Sequence, residues 1–217
     1  MVNDPLKSSV LSMRLIPNLS ADMLGQLKLP GGHRSIGLFT ADCDDVAYTA
    51  MDEATKKADV KVVYSRSFYG GAANANTKLA GEVLGIISGP NPAEVSSGLD
   101  TISSFIATQA FFTSANEDDT ISYFAYCISR TGSYLSEIAG IAEGDPLAYL
   151  IAPPLEAMFG LDAALKAADV KVAAFYGPPS ETNFGGGLLT GTQSACRAAC
   201  EAFASTVKSI AANPIEY

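Results

Sequence analysis

Apolar residues recur along this chain with two periods, and the order in which those periods alternate is played out twice. Residues 9–16 are rich in β-formers and stop at Pro17, as a strand closed by a turn does. Ser20 then offers an N-cap to a helix in which Met23, Leu24 and Leu27 share a face, and Lys28-Leu29-Pro30 ends it. Residues 35–40 alternate as a second strand. Val46, Ala50, Ala54 and Ala58 recur every fourth position, the spacing of one helix face, and Asp44 and Asp45 sit where they would cap that helix. Asp59 closes it, and Val60, Val62 and Val63 begin another strand. Residues 82–88 read as a strand, Gly89-Pro90-Asn91-Pro92 as a turn, and Val95, Leu99, Ile102 and Ile106 as the buried stripe of a helix.

The same succession then returns. Strands are predicted over 121–129, 147–152, 170–175 and 188–190, and helices over 133–141 and 155–168, with Pro153-Pro154 as a corner. A last helix places Cys196, Cys200, Phe203, Val207 and Ile210 on one face. Each half also carries a stretch too polar and glycine-rich for a buried element, over 68–80 and 177–187, which predicts a long mobile loop. The string Asp52-Glu53-Ala54-Thr55-Lys56-Lys57-Ala58-Asp59-Val60-Lys61-Val62 recurs 110 positions later as Asp162-Ala163-Ala164-Leu165-Lys166-Ala167-Ala168-Asp169-Val170-Lys171-Val172, with eight of eleven residues identical. Composition alone does not produce such a match, so the chain reads as two copies of one domain, residues 1–109 and 110–217. Each copy runs β-α-β-α-β-loop-β-α, an α+β fold of a mixed sheet with helices packed on it.

Composition narrows the functional classes. Hydrophobic residues make up 48% of the 217, ample for two cores or one shared core, and exclude a disordered chain. A net charge of -9 without a Lys/Arg run argues against nucleic acid and against an anionic membrane surface. No stretch approaches the ~18 apolar residues of a membrane span, and no leader pattern opens the chain, so it reads as cytosolic with its four cysteines as free thiols. There is no P-loop, nucleophile elbow, GxGxxG or HExxH, and His33 is the sole histidine, so enzymatic chemistry is not expected. Cys196 and Cys200 are four apart on a helix but lie on its apolar stripe; core packing is the expected role, and no metal site is assigned.

A strand, an Ala-rich helix ending Lys-x-Ala-Asp-Val-x-Val, a loop, a strand ending in glycine and a second Ala-rich helix resemble the bacterial microcompartment (BMC) shell domain. In that family the strand followed by a Pro turn closes the domain; here the matching Ser9-Val10-Leu11-Ser12-Met13-Arg14-Leu15-Ile16-Pro17 opens it, as a circular permutation does. Two permuted repeats carrying Arg130-Thr131-Gly132-Ser133-Tyr134-Leu135, Gly89-Pro90-Asn91-Pro92-Ala93-Glu94 and Asn213-Pro214-Ile215 are similar to the tandem shell proteins of ethanolamine-utilisation microcompartments. That resemblance implies a homotrimer with six domains in a flat pseudohexagonal tile, neighbouring tiles and other shell proteins as partners, and a location in the microcompartment. The competing reading is a soluble sensor or enzyme built on a duplicated α+β domain.

The resemblance also assigns residues. The lengthened loops become pore gates, through Phe68, Tyr69, Gly70, Gly71, Asn74 and Asn76 in the first repeat and Phe184, Gly185, Gly186 and Gly187 in the second. Lys56 and Lys166 match the tile-edge lysine, which on its own would read as a solvated cation at a helix C-terminus; Arg130 fills the edge arginine position that is Asn18 in the first repeat. Asp44, Asp45, Glu82 and Glu156, with Phe112 as an apolar or cation–π wall and Thr182 and Asn183 as neutral partners, are expected around small pores that bind ethanolamine. The plainer alternative is that Asp44 and Asp45 cap a helix and the others are solvated. No resident cofactor is implied, with ethanolamine or cobalamin entering only as ligand.

Overall fold

A computed structural model of the chain describes residues 1–67, 82–178 and 183–215. It opens with a two-residue strand, β1 (Pro5–Leu6), and then builds the first repeat. That repeat comprises β2 (Val10–Ile16), α1 (Ala21–Leu27), β3 (Ser35–Ala41), α2 (Asp44–Lys57), β4 (Lys61–Ser67), β5 (Val83–Gly89) and α3 (Pro92–Thr108). A short β6 (Phe112–Ser114) leads into the second: β7 (Ser122–Ile128), α4 (Ser133–Ala139), β8 (Leu147–Ala152), α5 (Pro154–Ala167), β9 (Val170–Tyr176), β10 (Gly185–Gly191) and α6 (Gln193–Ala212). The two repeats match element for element.

The first repeat forms a four-stranded sheet in the order β2-β3-β5-β4, and the second repeats that order as β7-β8-β10-β9. β6 and then β1 extend the second sheet to six strands, so the N-terminal strand crosses the expected division at 109/110. Every pairing among the described residues is antiparallel, where a mixed sheet was expected. The neighbouring strands β4–β5 and β9–β10 pair antiparallel, and an antiparallel pair needs no crossover helix between its strands. β1 and β6 escape a sequence reading because two or three residues carry no period.

Central strands β8 and β5 are covered on both faces, which is why Leu147-Ala148-Tyr149-Leu150-Ile151-Ala152 shows no polar alternation. Alternate residues of β7 and β8 enter different cores. Phe124, Tyr149 and Ile151 join α2, α3 and α4 in a core shared by both repeats, and Tyr123, Ala148 and Leu150 pack on α5 and α6 with Cys196, Cys200 and Phe203. The two helical cysteines are thus core residues, as their stripe predicted. The sole histidine, His33, is half-buried, its Nδ1 2.8 Å from the hydroxyl of buried Ser88.

The glycine run at the second predicted loop has another purpose than flexibility. Gly185, Gly186 and Gly187 are buried in β10 between β8 and β9. A Cβ on Gly186, whose φ is +153°, would strike the Leu150 carbonyl, and one on Gly187 would lie 2.6 Å from the Ala174 carbonyl oxygen. They are strand glycines demanded by close backbone approach. Gly187→Val should therefore unfold the second sheet rather than alter a loop, read as loss of the cooperative melt; an unchanged melting temperature would contradict this placement.

Candidate functional site

The repeats meet where α2 of the first runs against α4 of the second. Asp52, on α2, is fully buried, and its carboxylate accepts the N–H groups of Gly132 at 2.8 Å and Leu135 at 2.9 Å. Gly132 is the N-cap of α4 and has no side chain with which to cap it, so Asp52 supplies the cap from the other repeat. Thr55 Oγ1 accepts the Ser133 N–H at 3.1 Å, and Lys56 Nζ donates to the Arg130 carbonyl at 3.1 Å. A Cβ on Gly132 would collide with Thr55 Oγ1 and the Asp52 carbonyl, so only glycine admits this approach. Burial raises the Asp52 pKa, and the two N–H groups and Lys56 oppose that rise.

At the other end of the same junction lies a cavity of about 350 Å³. Asp44 and Asp45 on the first turn of α2, Tyr48 one turn on, Ser65 and Ser67 of β4, Tyr134 and Ile138 of α4, Tyr149 of β8 and Tyr176 of β9 line it. Tyr149 donates to Asp45 Oδ1 at 2.7 Å, the Asp45 N–H reaches Asp44 Oδ1 at 2.9 Å, and the Ser65 and Tyr134 hydroxyls are 2.6 Å apart. Cys43 is the N-cap of α2, so Asp44 and Asp45 are first-turn residues that favour the helix dipole rather than its cap. Burial pushes both acids up, Asp45 to about 6, while the neighbouring Asp45 charge adds to the rise at Asp44. Burial also raises the phenols of Tyr48, Tyr149 and Tyr176, and that of Tyr134 to about 12, so the tyrosines remain neutral donors. The cavity therefore offers negative charge, phenolic hydroxyls and aromatic faces in a confined space, the chemistry that holds a small cation with a hydroxyl.

The BMC domain family matches residues 35–115, starting at β3 and leaving out the β2 strand that opens the repeat. The bacterial microcompartment shell protein EutL of Clostridium perfringens is 62% identical over 217 residues, covering 100% of both chains. EutL of Escherichia coli is 54% identical over 213 residues, 98% of this chain and 97% of its own. The crystal structure of the ethanolamine utilization protein EutL from Leptotrichia buccalis superposes with a TM-score of 0.95 at 70% identity, covering 100% of each chain. This chain belongs to the EutL family of shell proteins. It is a structural shell protein of a bacterial microcompartment, and the relatives that match are shell proteins, not enzymes. The competing reading as a soluble sensor or enzyme falls with that result. As in other BMC shell proteins, its work is done in assembly with further shell proteins.

Within this EutL-family fold the expected site residues separate. Asp44 and Asp45 come together in the cavity. Glu82, half-buried just before β5, meets the lining through its carbonyl, which accepts the Ser67 hydroxyl at 3.2 Å. Phe112 is not a pocket wall: it is fully buried, stacked on Phe124 at 5.3 Å, and Phe124 in turn meets Tyr149 at 5.5 Å. Its apolar strand position pairs it inward on β6 instead of toward a ligand. Glu156 lies on the first turn of α5, in the other repeat's helix, and Asn183 is exposed in a left-handed conformation, φ 65°, ahead of β10. Thr182 lies outside the described residues, as do Phe68, Tyr69, Gly70, Gly71, Asn74 and Asn76. Phe184 is half-buried with its ring edge-on to Phe112 at 5.8 Å.

The two matched lysines differ. Lys56 is pinned within the chain to Asp52, Glu53 and the Arg130 carbonyl, its side chain 21% exposed, whereas Lys166 is 75% exposed with Asp162 at 2.6 Å. The tyrosines were missed from the sequence. One signal was available: a tyrosine inside the apolar strand 147–152 must find a partner for its hydroxyl, and Asp45 was the candidate acid.

Proposed function

We propose that three copies of this chain close into a pseudohexagonal shell tile, that the first Gly-rich segment, 68–80, gates its central opening, and that the cavity at each internal junction is a small conduit binding ethanolamine. The observation that carries the ligand is the pairing of Asp44 and Asp45 with Tyr149 in a cavity at the low end of small-molecule site sizes. One ammonium balances one carboxylate, tyrosine faces stabilise the cation, and Ser65 or Ser67 accommodates the alcohol. The cavity suits an amino alcohol and is too small for a corrinoid, so cobalamin would need a different surface.

Native mass measurement across concentrations should give a trimer; a monomer or dimer at every concentration removes the tile. Titrating ethanolamine by NMR should give weak binding, about millimolar to high micromolar, because desolvation and lost freedom offset most of the charge-assisted bonding. Absence of shifts at Tyr134, Tyr149 and Tyr176 at saturating ethanolamine would remove the ligand. For exposed Lys166, read as the tile-edge residue with Arg130 as its partner position, Lys166→Asp should leave the trimer mass unchanged and slow sheet formation. Sheets that form at the wild-type rate would end that assignment.

A further inference from the structure

The junction cavity is larger and more aromatic than ethanolamine alone requires. We propose that it also binds N-methylated amino alcohols, and that it holds the quaternary trimethylammonium form, choline, more tightly than ethanolamine itself. The inference rests on the ethanolamine reading above and widens its ligand class from a primary ammonium to the methylated series.

Volume is the first argument. The cavity measures about 350 Å³. An ethanolammonium ion fills only about 120 Å³ at the ~30 Å³ that a water-sized group occupies, and its trimethyl derivative about 210 Å³. Ethanolamine therefore shares the space with water. Added methyl groups displace that water from an apolar wall, which favours binding.

The lining is the second. Four tyrosines, Tyr48, Tyr134, Tyr149 and Tyr176, contribute rings, and three aliphatic side chains add further apolar surface. Tyr48, Tyr134 and Tyr176 are half-buried, which leaves part of each uncovered. The Tyr48 and Tyr134 rings form a corner, with centroids 6.3 Å apart and planes inclined at 57°. A ring face attracts a cation from within about 6 Å of its centroid, so one cation seated in that corner engages both rings. The Asp44 and Asp45 carboxylates share the cavity and supply the opposite charge.

Hydrogen bonding separates the two kinds of cation. Each N–H of a primary ammonium needs an acceptor once water is excluded. Several acceptors are already engaged: Asp45 Oδ1 by the Tyr149 hydroxyl, Asp44 Oδ1 by the Asp45 N–H, and the Ser65 and Tyr134 hydroxyls by each other. A quaternary ammonium has no N–H to satisfy. It needs nearby negative charge and aromatic or apolar walls, and it leaves the alcohol end to Ser65 or Ser67 as in ethanolamine.

The test is calorimetric titration of the full chain at pH 7 with ethanolamine, its N,N-dimethyl derivative and choline. The dissociation constant should fall along that series, by about tenfold from first to last. In Tyr48→Leu the corner is lost, and the two ends of the series should bind about equally; in Tyr48→Phe, which keeps the ring, the preference should remain. Ethanolamine that binds while choline binds equally or more weakly overturns the inference and leaves the ethanolamine reading standing. If neither binds, both fall. A preference for choline that survives Tyr48→Leu overturns the aromatic corner as its cause. Should that variant lose the wild-type circular dichroism, the N-methyl proton resonance of choline decides on the wild type alone: ring currents should move it upfield on binding, and a resonance that stays in place overturns the proposal.

Discussion

Asp52→Ala should lower the stability of the chain by about 3 kcal/mol, a fall of roughly 6–12 °C in melting temperature for a chain of this size. The substitution orphans the Gly132 and Leu135 N–H groups, both inside the junction, and each buried donor left without an acceptor costs about 1–3 kcal/mol. Lys56 loses one of its carboxylates but keeps Glu53, so its share is small. Relief of the desolvation that raises the Asp52 pKa offsets part of the loss, which keeps the expectation near the lower end for a broken buried charge network. Asp52→Asn should fall between, because one oxygen still accepts while the new NH₂ faces a donor. Thermal unfolding of all three proteins decides the matter: a shift under about 1 °C for the alanine variant would mean that the cap is not what joins the repeats.

Asp52 also shows where the sequence stops being legible. It stands in the same local string as Asp162, and nothing in either string says that one is buried and the other exposed. The difference lies in which surface the rest of the chain brings against the helix. Repeat order, helix faces and central strands were readable because each rests on a period within a dozen residues. The tyrosine-lined cavity was not, because Asp45 and Tyr149 are 104 positions apart and the lining comes from five elements of both repeats. The glycines of β10 were misread for a related reason: a run of glycines signals backbone freedom unless one knows that two strands press against it.

Ethanolamine affinity should strengthen as pH rises from about 5 to about 7, and Asp45→Asn should abolish most of that dependence. The sign follows from burial. The folded Asp45 carboxyl titrates near 6, above the ~3.9 of an unfolded chain, so the folded state holds an extra proton between those values. Without ligand, the contribution of Asp45 to stability is fully present below about pH 4 and is lost as pH climbs through 6, about 3 kcal/mol for a shift of this size. Asp44, raised by burial and by the Asp45 charge, adds a decline of the same sign. A primary ammonium remains charged over this range and binds the ionised form, so it must compete with the proton at pH 5 and need not at pH 7. Replacing Asp45 by asparagine keeps an acceptor for the Tyr149 hydroxyl but removes the charge. At pH 7 it should weaken ethanolamine by about 1.5–3 kcal/mol, roughly ten- to a hundredfold, while flattening the decline of ligand-free stability between pH 4 and 6. Calorimetric titration at pH 5, 6 and 7, with melting curves at the same values, separates the outcomes. Affinity that is constant with pH in the wild type, or equal in the variant, would leave the acid pair as a structural feature of the junction with no part in holding a cation.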